Sequence, residues 1–132
     1  MDIVNVLTQA LENAKRARTM KPESGAYTSA VRWELYASLQ NLLDGLAMIV
    51  ADLGLRKPGT YSELGGVLRE VGVLTKEEEQ HIRIIARDTL AHAYRRLEID
   101  DLSSIEQEIL PLAEAILKKL VGYIAETGLD PE

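Results

Sequence analysis

Apolar residues recur at helical spacing along nearly the whole chain, and no segment keeps the two-residue alternation of a half-buried strand. Ile3, Leu7, Leu11 and Ala14 step in fours or threes, which predicts a helix from Asp2 to about Arg18. Val31, Leu35, Leu39, Leu42, Leu46, Ile49 and Leu53 alternate steps of four and three, which predicts a long second helix from about Tyr27 to Leu53. Lys21-Pro22-Glu23-Ser24-Gly25 between them reads as a loop. A chain patterned this way has one economical solution: an all-α antiparallel bundle of four to five helices with short loops, in one domain spanning residues 1–132.

The remaining helices are marked by their ends. Gly54 suits a left-handed stop, and Lys57-Pro58-Gly59 a turn. Thr60 is expected to open a short third helix with Leu64, Val67 and Leu68 inward and Gly72 at its end. Thr75-Lys76-Glu77-Glu78 has the spacing of a capping box, in which threonine and glutamate each satisfy a free backbone N–H. Acids at the start of that fourth helix (Glu77, Glu78, Glu79) and Arg95 and Arg96 at its end complement the helix dipole. The fifth helix is expected to start at Asp100–Ser104 and to carry Ile105, Ile109, Ala113, Ile116, Leu120 and Ile124. Pro111 inside it predicts a kink or a restart near Leu110, and Gly128 ends it.

Composition excludes several chemistries. There are no cysteines, hence no disulfide, thiolate zinc site or cysteine nucleophile. The net charge of −6 argues against a broad electrostatic grip on nucleic acid, so any such site must be a local basic patch. The start of the chain lacks the features of a secretory signal. Leu42–Leu55, the most apolar stretch, is interrupted by Asp44 and Asp52 and is shorter than the roughly 20 residues of a membrane span. A soluble cytoplasmic protein is the expectation.

Reactive side chains concentrate in Arg87-Asp88-Thr89-Leu90-Ala91-His92-Ala93-Tyr94-Arg95-Arg96 on the fourth helix. Asp88 and His92, four apart, share a face, and Arg96 continues that stripe. Arg87 and Tyr94 form a neighbouring stripe. Arg87 and His92, five apart, point about 140° from each other on an ideal helix. Both reach one ligand only if the arginine curls round, the helix distorts, or two chains supply one residue each. Such a pair suits phosphodiester cleavage. Imidazole exchanges protons near neutral pH, and guanidinium presents a rigid fork to phosphate oxygens. Asp88 could orient the imidazole. With RNA the 2′-hydroxyl is a built-in nucleophile, so no metal or cofactor is required.

On spacing alone, such residues are more often those of a solvated helix face with its salt bridges than a catalytic set. His81 and His92 stand roughly 16 Å apart along the helix and cannot hold one ion within one chain; His81 reads as a surface or interface residue. Gly65-Gly66 suggests close packing rather than a phosphate loop. Lys15-Arg16-Ala17-Arg18 reads as helix-end charge that could extend an RNA track. Trp33 is expected to anchor the core or an interface. Leu43, Met48 and Val50 lie beside the main stripe of the second helix, which suggests a second buried face and hence a homodimer; burial of that helix on two sides within a monomer is the alternative.

Arg87-Asp88-Thr89-Leu90-Ala91-His92 resembles the R-x-x-x-x-H motif of the HEPN superfamily, and its extension to Tyr94 resembles the HepT-like ribonuclease toxins. The long helix, the Gly-Leu-Arg-Lys-Pro turn, Tyr61-Ser62-Glu63-Leu64 and Val73-Leu74-Thr75 ahead of the motif helix are similar to that family from about Tyr27 to Ile116. The resemblance implies a HEPN-like helical bundle that dimerises with two motifs near a shared cleft. It implies a metal-independent endoribonuclease toxin of a type VII-like toxin–antitoxin pair, with Arg87 and His92 as the catalytic pair. It further implies a MntA-like nucleotidyltransferase antitoxin that silences the toxin by AMP transfer to Tyr94. Asp88 is expected to support the pair, and Arg95 and Arg96 are candidate RNA contacts. The residue after the arginine is often asparagine in that family and is Asp88 here. A non-catalytic helical partner or substrate-binding subunit of a minimal nucleotidyltransferase is the alternative function, and a structural dimer with the motif as a salt-bridge cluster is the third.

Overall fold

The computed structural model describes residues 3–19, 25–94 and 105–128. Among these residues there are five α-helices and no strand. They are α1 (Ile3–Thr19), α2 (Gly25–Asp52), α3 (Leu64–Glu70), α4 (Lys76–Tyr94) and α5 (Leu110–Thr127). The expected all-α bundle is thus what forms, and the periodic stripes are its core: Ile3, Leu7, Leu35, Leu39, Leu42, Leu46 and Ile49 are fully buried. Of the proposed loop Lys21–Gly25, residues 21–24 lie outside the described residues and Gly25 is already in α2, two residues before the expected start at Tyr27; Arg95, Arg96 and the proposed helix start at Asp100–Ser104 also lie outside the described residues.

Neighbouring long helices run in alternating directions. Ser38 Oγ donates to the Ala10 carbonyl at 2.9 Å, and Gly45 faces Leu7. Further down the same seam, Glu34 accepts from Asn13 Nδ2 at 2.7 Å and from Arg16 Nε at 3.0 Å. Glu34 and Asn13 are both buried, so this network fixes the α1–α2 register: slipping it would leave a carboxylate and an amide unpaired. At the other seams Arg18 bonds Glu114 and Lys119 bonds Glu78, tying α5 to the end of α1 and to the start of α4.

Local signals act where expected. Gly54 adopts φ +68°, and Leu55 N–H reaches back to the Val50 carbonyl at 3.1 Å, a Schellman closure of α2. Thr75 and Glu78 form the reciprocal cap: Glu78 N–H donates to Thr75 Oγ1 at 3.1 Å and Thr75 N–H to Glu78 Oε1 at 2.8 Å. Pro111 falls in the first turn of α5. The preceding residues, Ile105–Ile109, widen into a single π-helical turn. A proline lacks the N–H and clashes with the carbonyl four residues back, and a widened turn relieves both problems. This is the restart anticipated near Leu110. Thr60 differs from expectation. It is extended and makes no side-chain cap; a 3-10 turn at Tyr61–Glu63 comes first, and α3 begins only at Leu64.

Two expectations about α2 are corrected. Leu43 and Val50 are buried inside the chain, because α2 is central and packs against α1, α3, α4 and α5. The extra apolar residues therefore do not by themselves call for a second copy. Of the two roles expected for Trp33, that of core anchor is ruled out: it is 63% exposed, on a side of α2 that no other described helix covers.

Candidate functional site

The site is built on α4. Its cap starts the helix, and Ile82, Ile85, Ala86 and Thr89 turn inward, with Thr89 Oγ1 returning to the Ile85 carbonyl at 2.8 Å. These positions hold α4 against the bundle and leave Arg87 outside. Helical hydrogen bonding continues unbroken to Tyr94. Distortion of the helix between residues 87 and 92 is therefore not available as a way to bring Arg87 and His92 to one ligand. The curling of the arginine and the contribution of two chains remain.

Arg87 Nε lies 3.6 Å from Asp88 Oδ1, and the Arg87 side chain is 73% exposed while that of Asp88 is 20% exposed. That separation is an ion pair without a hydrogen bond. It contrasts with the other arginine pairs. Arg16–Glu34 closes at 3.0 Å, Arg18–Glu114 at 2.5 Å, Arg56–Glu70 at 2.8 Å and Arg83–Glu79 at 3.3 Å, and Arg69 also clasps Glu79. Arg87 is the longest-paired and most exposed of these guanidiniums. In the Lys15–Arg18 cluster, Arg16 and Arg18 are engaged across helix seams and Ala17 is buried, in line with the reading as helix-end charge. The glycine pair is also structural. A Cβ on Gly65 would sit 3.1 Å from Glu79 Cα and from Ile82 Cβ, so α3 and α4 touch through bare backbone. His81 is half-buried on α4.

Sequence reasoning missed a second region. On the outer side of α2, Gln40 Nε2 donates to Asp44 Oδ1 at 3.0 Å and Tyr61 OH to the same oxygen at 3.3 Å. Burial and the Asp44 carboxylate push the Tyr61 phenol above its ordinary pKa. Beyond Asp44 an apolar groove of about 510 Å³ opens between Ala47, Val50 and Ala51 on one side and Leu55, Pro58 and Tyr61 on the other. The spacing of Tyr36, Gln40 and Asp44, four apart, was the available signal, but nothing local places Tyr61 beside them.

Among the described residues no helix is long and apolar enough to cross a membrane. The chain is 28% identical over 130 residues to a candidate RNase of Archaeoglobus fulgidus, covering 96% of this chain and 90% of that protein. Bacillus subtilis YutE, a cytosolic protein of unknown function, has the same fold, with a TM-score of 0.83 at 15% identity, covering 96% of this chain and 91% of that one. So does a tri-AMPylated Shewanella oneidensis HEPN toxin solved in complex with MNT antitoxin, with a TM-score of 0.74 at 16% identity, covering 91% of this chain and 96% of that one. The family profile described as Ribonuclease HepT-like matches residues 3–120, a stretch that holds every helix except the end of α5 together with the whole Arg87–Tyr94 motif, and the chain belongs to that family.

Proposed function

We propose that this chain is a metal-independent endoribonuclease, the toxin of a type VII-like toxin–antitoxin pair, acting as a homodimer in the cytoplasm. Arg87 and His92 form its catalytic pair. The single observation that supports this most is the exposed, loosely held Arg87 guanidinium on an unbroken helix that also carries His92. His92 takes the proton of an RNA 2′-hydroxyl. The 2′-oxygen attacks the adjacent phosphorus, the bond to the 5′-oxygen breaks, and a 2′,3′-cyclic phosphate forms as the departing oxygen gains a proton. Arg87 binds the non-bridging oxygens, where charge builds. Because residues five apart on an ideal α-helix lie about 140° from each other round its axis, the pair is completed across the dimer, Arg87 from one protomer and His92 from its partner. Asp88 orients the imidazole, and Arg95 and Arg96 contact flanking phosphates.

The partner is a MntA-like nucleotidyltransferase antitoxin that transfers AMP from ATP to the Tyr94 phenol oxygen, releasing pyrophosphate. Bulk and negative charge beside Arg87 then block entry of phosphate. The test is cleavage of RNA by the purified chain in EDTA. Wild type should yield 2′,3′-cyclic phosphate ends, and Arg87→Ala and His92→Ala should each lose at least about a hundredfold. Undiminished cleavage by His92→Ala removes the assignment. Mass spectrometry after incubation with the neighbouring nucleotidyltransferase and ATP should find AMP on Tyr94; an adduct only elsewhere removes that part.

A second reading is favoured by one observation, the Asp88 carboxylate beside Arg87. It is that of a non-catalytic partner that docks on the nucleotidyltransferase. Stable co-purification with that partner, with RNA intact after prolonged incubation, selects it.

A further inference from the structure

Lys76, Gln80, Arg83 and Arg87 are all exposed and lie on one stripe of α4. At about 100° per residue, the three cations fall within about 40° of one another round the helix axis, and Gln80 falls beside them. Lys76 and Arg87 stand eleven residues apart, about 16 Å along the axis. No acid shares the stripe. On the same wheel Glu77, Glu78 and Asp88 lie at least about 100° from its midline, and Glu79 about 60° to one side.

The acids nearest the stripe are already engaged. Glu78 caps the helix and binds Lys119 at 2.6 Å. Glu79 is clasped by Arg69 of α3, and Arg83 Nη2 reaches it only at 3.3 Å. One carboxylate thus faces two guanidiniums, and a positive charge is left over. The Arg83 side chain is 57% exposed, and an exposed pair of this length adds little to stability. Asp88 meets Arg87 without a hydrogen bond. A chain of net charge −6 can receive a polyanion only where cations locally outnumber acids, and this stripe is such a place. We infer that it is the track for the RNA strand beside the scissile phosphate. Arg83 binds the phosphate next to the one held by Arg87, Gln80 donates to the sugar–phosphate backbone, and Lys76 binds a phosphate further along.

Arginine, lysine and glutamine are side chains that hold phosphate and sugar and so fix the register of a strand. A stacked strand rises about 3.4 Å per nucleotide, so about 16 Å of helix serves up to about five phosphates. No Phe, Tyr or Trp stands between Lys76 and Arg87, so the strand is held here by charge and not by base stacking, which makes the track tolerant of sequence. The motif occupies the C-terminal end of α4, and the stripe runs from it towards the N-terminal end. In a dimer with both motifs at one cleft, each stripe therefore leads a strand out of that cleft along its own protomer.

This inference rests on the proposed function in taking RNA as the substrate, and it is tested through binding, apart from cleavage. The probe is a fluorescent single-stranded 2′-O-methyl RNA, which has no free 2′-hydroxyl to attack. Its anisotropy with the full chain is followed over a series of KCl concentrations. Arg83→Gln and Lys76→Gln should each bind about fivefold more weakly than wild type at about 0.1 M KCl, and the slope of log K against log [salt] should shrink by about 0.7 for each. A merely structural role would not move that slope. Both residues are exposed, so helical circular dichroism should be unchanged. With cleavable RNA, KM should rise while kcat stays within about twofold. Lys76→Glu should bind more weakly still, although an acid in the first turn suits the helix dipole. Wild-type slopes in Arg83→Gln and Lys76→Gln overturn the track; if wild type cleaves RNA and His92→Ala does not, the proposed function stands without it. Shrunken slopes in a chain that leaves RNA intact keep the track and remove the nuclease. A wild type that neither binds nor cleaves RNA overturns both. Unchanged RNA binding with lost co-purification of the nucleotidyltransferase assigns the stripe to a protein and overturns the inference.

Discussion

Arg87 and Asp88 are neighbours in sequence that meet without a hydrogen bond: Nε and Oδ1 stand 3.6 Å apart, with the guanidinium outermost. The carboxylate thus offsets part of the charge that Arg87 offers to a phosphate while leaving its N–H fork free. Asp88→Asn keeps the shape and an acceptor and removes the charge. At a partly exposed position, one unit charge a few ångströms away is worth about 1 kcal/mol. The expected outcome is a KM for RNA lowered about two- to fivefold together with a lower kcat, because Asn cannot stabilise the imidazolium that forms on the histidine Asp88 orients. Steady-state cleavage of a fluorescent RNA checks it; a raised KM would show that Asp88 helps to hold substrate.

Arg87→Lys should separate chemistry from stability. Lysine keeps the charge but loses the planar fork, so cleavage is expected to fall at least about tenfold. The pair that Arg87 makes is exposed and long, and such pairs contribute about 0–1 kcal/mol. The Tm should therefore move by no more than about 2 °C. A larger loss of Tm with full cleavage would instead make the motif a structural salt-bridge cluster.

Gly65 and Gly66 should respond differently to the same substitution. In Gly65→Ala the new methyl meets the Glu79 Cα and the Ile82 Cβ, which belong to the packed body of α4 and cannot step aside. A cost of about 1–3 kcal/mol follows, seen as a Tm lower by about 3–10 °C. In Gly66→Ala the nearest atom is Glu79 Oε2, the end of a flexible side chain. There the better helix propensity of alanine should leave Tm unchanged or slightly raised. Thermal melts of the two variants check the contrast.

Two glutamates should give stability opposite dependences on pH. Burial raises the Glu78 pKa, but the bonds from Lys119 and Thr75 outweigh it, and the net shift is downward from 4.5. A depressed folded pKa stabilises above the unfolded value and loses that contribution as pH falls through the folded one. Glu78→Gln should therefore melt below wild type at pH 7, and the gap should close by about pH 3. Glu106 is shifted upward by burial, partly countered by Arg18. Its ionised form costs stability once pH rises through the folded value, so Glu106→Gln should melt above wild type at pH 7 and not at about pH 3. Melting curves at the two pH values decide both.

Much of this architecture was written locally. The stripes of α1 and α2, the Thr75–Glu78 cap, the stop at Gly54 and the restart at Leu110 depend on residues within one or two turns of each other, and periodicity and backbone sterics determine them before any tertiary contact forms. The Arg87–Tyr94 motif was legible for the same reason, being contiguous on one helix. What the sequence could not decide is which of two similar side chains meets a partner from a distant segment. Leu43 and Val50 fitted either an intermolecular face or burial within the chain and are covered by its own helices, whereas Trp33 fitted either core or interface and faces outward. Arg16 and Arg18 read as helix-end charge without a partner in view, and they close on Glu34 and Glu114 from distant segments. Tyr61 reaches Asp44 across seventeen positions. Those outcomes follow from where the helices lie against one another, a geometry set by the whole packed core and carried by no single stretch of chain.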